Sequence, residues 1–169
     1  MISGAFLEFI LGNTFPFVVF GSFGAFWLSF GATLTPYFNA SIAYDPTHPA
    51  TSASNPVFAA TFAYFLVYMG VLSFIYMIVA LRTNIIFVLI FVSLVAAFSC
   101  LSALFFGIAE SNHNITLQHA AGGLTFVTCL LGWYLFFVQL LAAVDFPLNL
   151  PVGDLSQLIR GASERAKNE

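Results

Sequence analysis

The chain has 169 residues, of which 60% are hydrophobic, 18% aromatic and only 7% charged, where soluble domains carry roughly 25% charged residues. That balance excludes a water-soluble globular domain, makes nucleic acid an unexpected partner, and predicts an all-α polytopic bundle in a lipid bilayer. The net charge of −3 selects no partner by itself, and the 22 Phe suit a chain that meets lipid, because Phe is tolerated at the bilayer centre where Lys, Arg and Asp cost ~2.5 to 3.5 kcal/mol each.

In chain order, Met1 to Leu11 (MISGAFLEFIL) is apolar but too short to span. It has neither the basic start nor the small-residue cleavage site of a signal peptide, and it reads as the last turns of a helix that begins upstream. Gly12-Asn13-Thr14 breaks that helix, with Asn13 or Thr14 as the N-cap of the next and Pro16 allowed in its first turn. The first full span runs from Phe15 to Pro36, since about 20 apolar residues at 1.5 Å rise cover the ~30 Å hydrocarbon core. Gly21, Ser22, Gly24, Ala25, Ser29, Gly31, Ala32 and Thr33 place small or hydroxylated positions on every turn. Such a helix is expected to have close neighbours or a lumen beside it.

Tyr37 to Pro56 is a loop rich in Pro, Ser, Thr and Asn. A second span from Val57 to Leu81 carries Tyr64, Tyr68 and Tyr76, and Arg82-Thr83-Asn84 turns the chain into a third from Ile85 to Gly107. So short a turn predicts adjacent antiparallel helices. A polar loop, Glu110 to Gln118, precedes a fourth span from His119 to Val144, and Asp145 and Pro147 close it. The expected organisation is therefore 1–14 as a helix end and break, 15–144 as the transmembrane domain, and 145–169 as a polar, partly helical tail. The four basic residues, Arg82, Arg160, Arg165 and Lys167, fall in the short turn and the tail. The positive-inside rule puts both on the cytoplasmic side, and the sequons at Asn39 and Asn114 fall in the two opposite loops.

Ser93, Ala96, Cys100, Ala103 and Gly107 recur at steps of three and four, one small residue per turn on one face of the third span, and Ala121, Thr125, Thr128 and Gly132 do the same on the fourth. Either face serves tight packing as readily as a path. The two cysteines, Cys100 and Cys129, lie in apolar runs without metal-ligand spacing, so a disulfide framework or a metal site is not expected. No HExxH, glycine-rich phosphate loop or paired intramembrane carboxylates occur, which disfavours an enzyme and implies no cofactor. Glu8, Arg82, Glu110, His119 and Asp145 sit near the membrane edges, as in a channel or carrier with an uncharged path; for Arg82, Glu110 and Asp145 solvated helix ends are the better reading.

The run Leu7-Glu8-Phe9 with Gly12-Asn13-Thr14-Phe15, followed by Gly21-Ser22-Phe23-Gly24-Ala25-Phe26-Trp27-Leu28, resembles the acetate uptake transporter (AceTr) family, particularly its fungal members. Leu94, the His119-Ala120-Ala121-Gly122 run and Tyr134 fall where that family has corresponding elements, so the resemblance extends from Met1 to about Ala143. It implies a fold of six transmembrane helices around a pore in each subunit, assembly as a homo-oligomer, hexameric in bacterial members, and proton-linked transport of acetate and related short monocarboxylates across the plasma membrane. The family's Asn-Pro-Ala-Pro-Leu-Gly-Leu segment is not in this sequence, which reads as a shortened member with four of the six helices. By position, the resemblance makes Phe23 the aromatic residue of the pore constriction and Leu94 its apolar partner, with Glu8, Gly12, Asn13, Thr14, Gly24 and Trp27 as motif residues.

A bare carboxylate meets a large desolvation cost in an apolar throat, whereas a protonated one loses only a hydroxyl's hydration. Passage of neutral acid, or of anion with a proton, is the less costly mechanism, with Ser22, Ser29, Thr33, Ser93, Thr125 and Thr128 as hydrogen-bond partners along the way. His119, at the expected outer start of the fourth helix, is a candidate for proton coupling or substrate access, since imidazole changes charge in the mildly acidic range; a helix-capping or interfacial role is the equal alternative. Two other functions stay open: export of ammonia or ammonium on the same fold, and a tetraspan scaffold, although the latter's large outer loop with paired cysteines is absent.

Overall fold

The computed structural model describes residues 1–38, 40–47 and 54–156. Its helices are α1 (Ile2–Ile10), α2 (Thr14–Leu34), α3 (Pro56–Ala80), α4 (Ile85–Ala109) and α5 (Ile115–Ala143), with two short 3-10 turns at Pro36–Phe38 and Ile42–Tyr44. The helices α2 to α5 are each long and apolar enough to cross a membrane. Strands are absent among the described residues. This agrees with the all-α, four-span expectation, and the physical reason is that lipid leaves backbone polar groups no partner outside the helix.

The chain divides into two compact units, Met1–Phe58 and the residues from Ala59 onward, the boundary falling in the first turn of α3. In the first unit α1 lies against α2, and the small residues of α2 make that approach possible. A Cβ added at Gly24 would come within 2.7 Å of Ile2 Cδ1, and at Gly21 within 3.8 Å of Ala5 Cβ. The rings of Phe9 and Phe17, 5.2 Å apart, pack across the break between the two helices.

In the second unit α4 has neighbours on two sides. Ring pairs join it to α3: Phe62 with Phe105 at 4.9 Å, Tyr64 with Phe106 at 5.1 Å and Tyr76 with Phe91 at 5.7 Å. Between them Gly70 lets Phe98 close in, its missing Cβ only 3.4 Å from that of Phe98. The other flank of α4 runs along α5. Along α3 itself Ala59, Ala63, Leu66, Ser73 and Ala80 are fully buried, a small-residue stripe for which sequence reading offered only the tyrosines.

Helix ends follow local chemistry. Asn55, Asn84 and Asn114 cap α3, α4 and α5, each side-chain oxygen accepting an N–H of the first turn. Helices α1, α4 and α5 all stop in the same backbone motif, with Gly12, Ser111 and Asp145 at positive φ. There the next N–H reaches back five residues: Asn13 to the Glu8 carbonyl, Asn112 to Gly107 and Phe146 to Leu141, at 2.9, 2.7 and 3.0 Å.

Three expectations are adjusted. Helix α5 starts at Ile115 and not His119, because Asn114 supplies the cap one turn earlier. The small-residue face of α4 is only partly covered: Ser93 is buried, but Ala103 is exposed and Phe91, Leu94, Phe98 and Leu104 fill more of the core. Beyond α5, residues 145–156 are not helical; they fold back onto the α3–α4 turn, while the helix expected further along the tail lies outside the described residues.

Candidate functional site

The motif that opens the chain is a built corner. Gly12, at φ 78°, lets the backbone reverse, and Asn13, although at the N-cap position of α2, does not cap it. Its side-chain Nδ2 instead donates to the Glu8 carboxylate at 2.6 Å. Glu8 thus holds Asn13 twice, through its side chain and through its backbone carbonyl. Glu8, Gly12, Asn13 and Thr14 form one structural element that sets the turn from α1 into α2.

The hydroxyl groups are spread along the helices. Ser93 Oγ and Thr128 Oγ1 meet at 2.7 Å, linking α4 to α5. Each also lies near a carbonyl of its own helix, Ser93 by Ile90 at 2.9 Å and Thr128 by Leu124 at 3.0 Å. Two hydroxyl protons therefore serve three contacts. Three more turn inward on their own backbone: Ser22 donates to the Val19 carbonyl, Thr33 to that of Ser29, and Thr125 to those of Ala121 and Gly122. A hydroxyl so committed offers incoming molecules only its lone pairs. Among the described residues no buried side-chain oxygen or nitrogen lacks a partner.

An open groove of about 330 Å³ lies between α3 and α4, with Leu66, Gly70, Phe74 and Phe98 on its walls and Ser99 and Ser102 in its lining. Both serine hydroxyls donate to backbone carbonyls of α4, those of Val95 and Ser99. Nothing ionisable lines it.

The structure brings together only some of the residues expected from sequence. Glu8 and Asn13 are bonded, and Ser93 and Thr128 are bonded. Phe23 is buried on α2 in the first unit and Leu94 is buried on α4 in the second. Gly24 is the point of closest approach of α1, whereas Trp27 and Ser29 are exposed. His119 is exposed in the second turn of α5, away from the uncapped N–H groups that an end position would have given it. At Asp154 the backbone N–H and the hydroxyl of Ser156 hold the carboxyl below the usual range, so this turn is firmest above that range and loosens as pH falls through the lowered value.

Residues 1–157 match the model of the GPR1/FUN34/yaaH family. The chain belongs to that family. The match carries the resemblance beyond Ala143, through the segment that folds back on the α3–α4 turn. Among curated relatives, protein alcS of Aspergillus fumigatus is 44% identical over 161 residues, covering 93% of this chain and 59% of the relative. The acetate transporter protein patA of Aspergillus clavatus is 30% identical over 153 residues, covering 89% of this chain and 59% of the relative. The meiotically up-regulated gene 86 protein of Schizosaccharomyces pombe is 28% identical over 127 residues, covering 75% and 39%. No solved structure gives a significant match. This GPR1/FUN34/yaaH member spans 59% of the length of the first two relatives, and its opening corner, from Glu8 to Thr14, lies wholly within the family match.

Proposed function

We propose that the chain carries acetate and related short monocarboxylates across the plasma membrane as the protonated acid, or as anion together with a proton. The observation that carries this reading is chemical. From α2 to α5 no Lys, Arg, Asp or Glu interrupts the helices, and the hydroxyls of Ser22, Ser99 and Thr125, with protons already committed to carbonyls, present lone pairs. Lone pairs accept from a carboxylic acid O–H and repel a carboxylate. Similarity to patA, whose name makes it an acetate transporter, supports the substrate class. Phe23 and Leu94 are each proposed as apolar residues of the path, Ser22, Ser29, Thr33, Ser93, Thr125 and Thr128 as its polar points, and His119 as a proton or access residue. Both termini are proposed to be cytoplasmic, in a homo-oligomer.

Uptake of radiolabelled acetate tests the function, in cells without other carriers, with full-length patA of Aspergillus clavatus alongside. Uptake above the empty-vector level that rises as the medium acidifies is expected. A chain that reaches the surface and accumulates nothing beside an active patA overturns the reading for this chain. In an active background Leu94→Val is expected to let larger acids such as lactate compete, because it removes a methylene from a steric filter without touching a charge.

A further inference from the structure

Residues after α5 do work that neither the spans nor the transport reading uses. The segment 151–155 crosses the α3–α4 turn as an antiparallel bridge, Asn84 opposite Asp154. The Ile85 N–H donates to the Gly153 carbonyl and the Leu155 N–H to the Thr83 carbonyl, both at 2.9 Å. Ile85 is the first residue of α4, so its N–H has no partner within the helix; the tail supplies one, and Asn84 caps Phe87 beside it. Gly153 is needed at this crossing twice over: its φ is 67°, and a Cβ there would stand 2.7 Å from Ile85 Cδ1 and 3.0 Å from Ile85 Cβ. One step earlier, Tyr134 Oη on α5 donates to the Pro151 carbonyl at 2.8 Å. The segment is thereby fixed to α5 on one side and to the α3–α4 turn on the other.

We propose that residues 151–155 form a releasable strap that ties the last turns of α5 to the α3–α4 turn and restrains their relative movement. Several features make the tie reversible. Its described bonds lie at exposed or partly exposed residues, and water replaces each of them on release. Helix α5 itself packs on α4 with only Ala121 and Leu141 of its 29 residues buried.

Amide hydrogen exchange on the whole chain in lipid nanodiscs tests this without reference to transport, so its failure and that of the acetate reading are distinguishable. Tyr134→Phe keeps the ring and removes one bond; it is expected to speed exchange at Ile85 and Leu155 and in residues 140–143 by several-fold. Gly153→Ala, which cannot seat its Cβ, is expected to speed it by at least ten-fold at the same places. An Asn84→Cys, Asp154→Cys pair in a background without Cys100 and Cys129 locks the strap when oxidised, because residues opposed in an antiparallel bridge lie at disulfide distance. Oxidation is expected to slow exchange in residues 140–143 and reduction to restore it. Unchanged exchange in Tyr134→Phe, or a lock that slows Leu155 while leaving 140–143 as before, overturns the proposal; should Gly153→Ala fail to fold, these two still decide it.

Discussion

Helices α4 and α5 run side by side, are both free of charge and both carry a small residue on most turns, yet α4 buries seven residues and α5 two. In the most apolar window of each, 33% of α4 is covered and 6% of α5. Mean hydropathy, 2.8 for α4 and 2.0 for α5, does not decide this, since α2 at 1.6 is less apolar than α5 and yet 22% covered; a lipid tail is as apolar as a leucine, and association in a bilayer is decided by shape and hydrogen bonds. What distinguishes α4 is complementarity on the α3 side, where Phe91, Phe98 and Phe105 find Tyr76, Gly70 and Phe62. The glycines of α5 meet nothing: at Gly122, Gly123 and Gly132 an added Cβ has no neighbour within 4 Å.

The contrast can be broken most sharply with phenylalanine. Phe98 is 3% exposed and Phe126 63%. Phe98→Ala is expected to cost on the order of 3 kcal/mol through the cavity it leaves, at the low end for such changes because lipid is the reference state, and Phe126→Ala less than about 0.5 kcal/mol. Unfolding in mixed detergent micelles measures both. An equal cost would mean that the outer face of α5 is covered in the working assembly.

Glycine gives the next largest effect and reverses its sign between the helices. At Gly107 a Cβ would come 2.5 Å from the carbonyl oxygen of Asn112, the residue whose N–H closes the end of α4. Gly107→Ala is expected to destabilise by about 1 to 3 kcal/mol. Gly132→Ala is expected to stabilise by about 0.5 to 1 kcal/mol, through helix propensity alone. The same titration of unfolding reads both, and loss of stability at Gly132→Ala would again reveal a covering partner.

Both helices end on a residue with a side chain in the left-handed region, Ser111 at φ 59° and Asp145 at φ 51°. Ser111→Gly and Asp145→Gly are each expected to raise thermal stability, by up to about 1 kcal/mol, since glycine adopts that conformation without the Cβ penalty. A drop in melting temperature would assign those side chains another task. The smallest effect concerns the bond between the helices. A double-mutant cycle of Ser93→Ala and Thr128→Val is expected to give a coupling energy near 0.6 kcal/mol and no more than about 1.7. A coupling of zero would detach the two hydroxyls from each other and weaken the case that the pair holds α5 in register.

The sequence by itself determined the four spans, the helix breaks at Gly12 and at Arg82-Thr83-Asn84, and the small residues that let α1 reach α2. Those features act through rules local to a few residues: absence of charge over a bilayer's thickness, an Asn before a first turn, a Gly where φ turns positive. The Asn cap at Asn114 was equally legible, and passing over it put the start of α5 one turn late. The motif around Glu8 was visible as a resemblance, but that its carboxylate clamps Asn13 emerged only when the chain reversed at Gly12. Tertiary structure alone decided which apolar face found a partner. Ser93 and Thr128 are 35 residues apart, and Tyr134 and Pro151 are 17 apart, so neither bond has a local signal. Apolar faces are told apart by ring, groove and hydroxyl geometry, which exists only once the helices lie side by side.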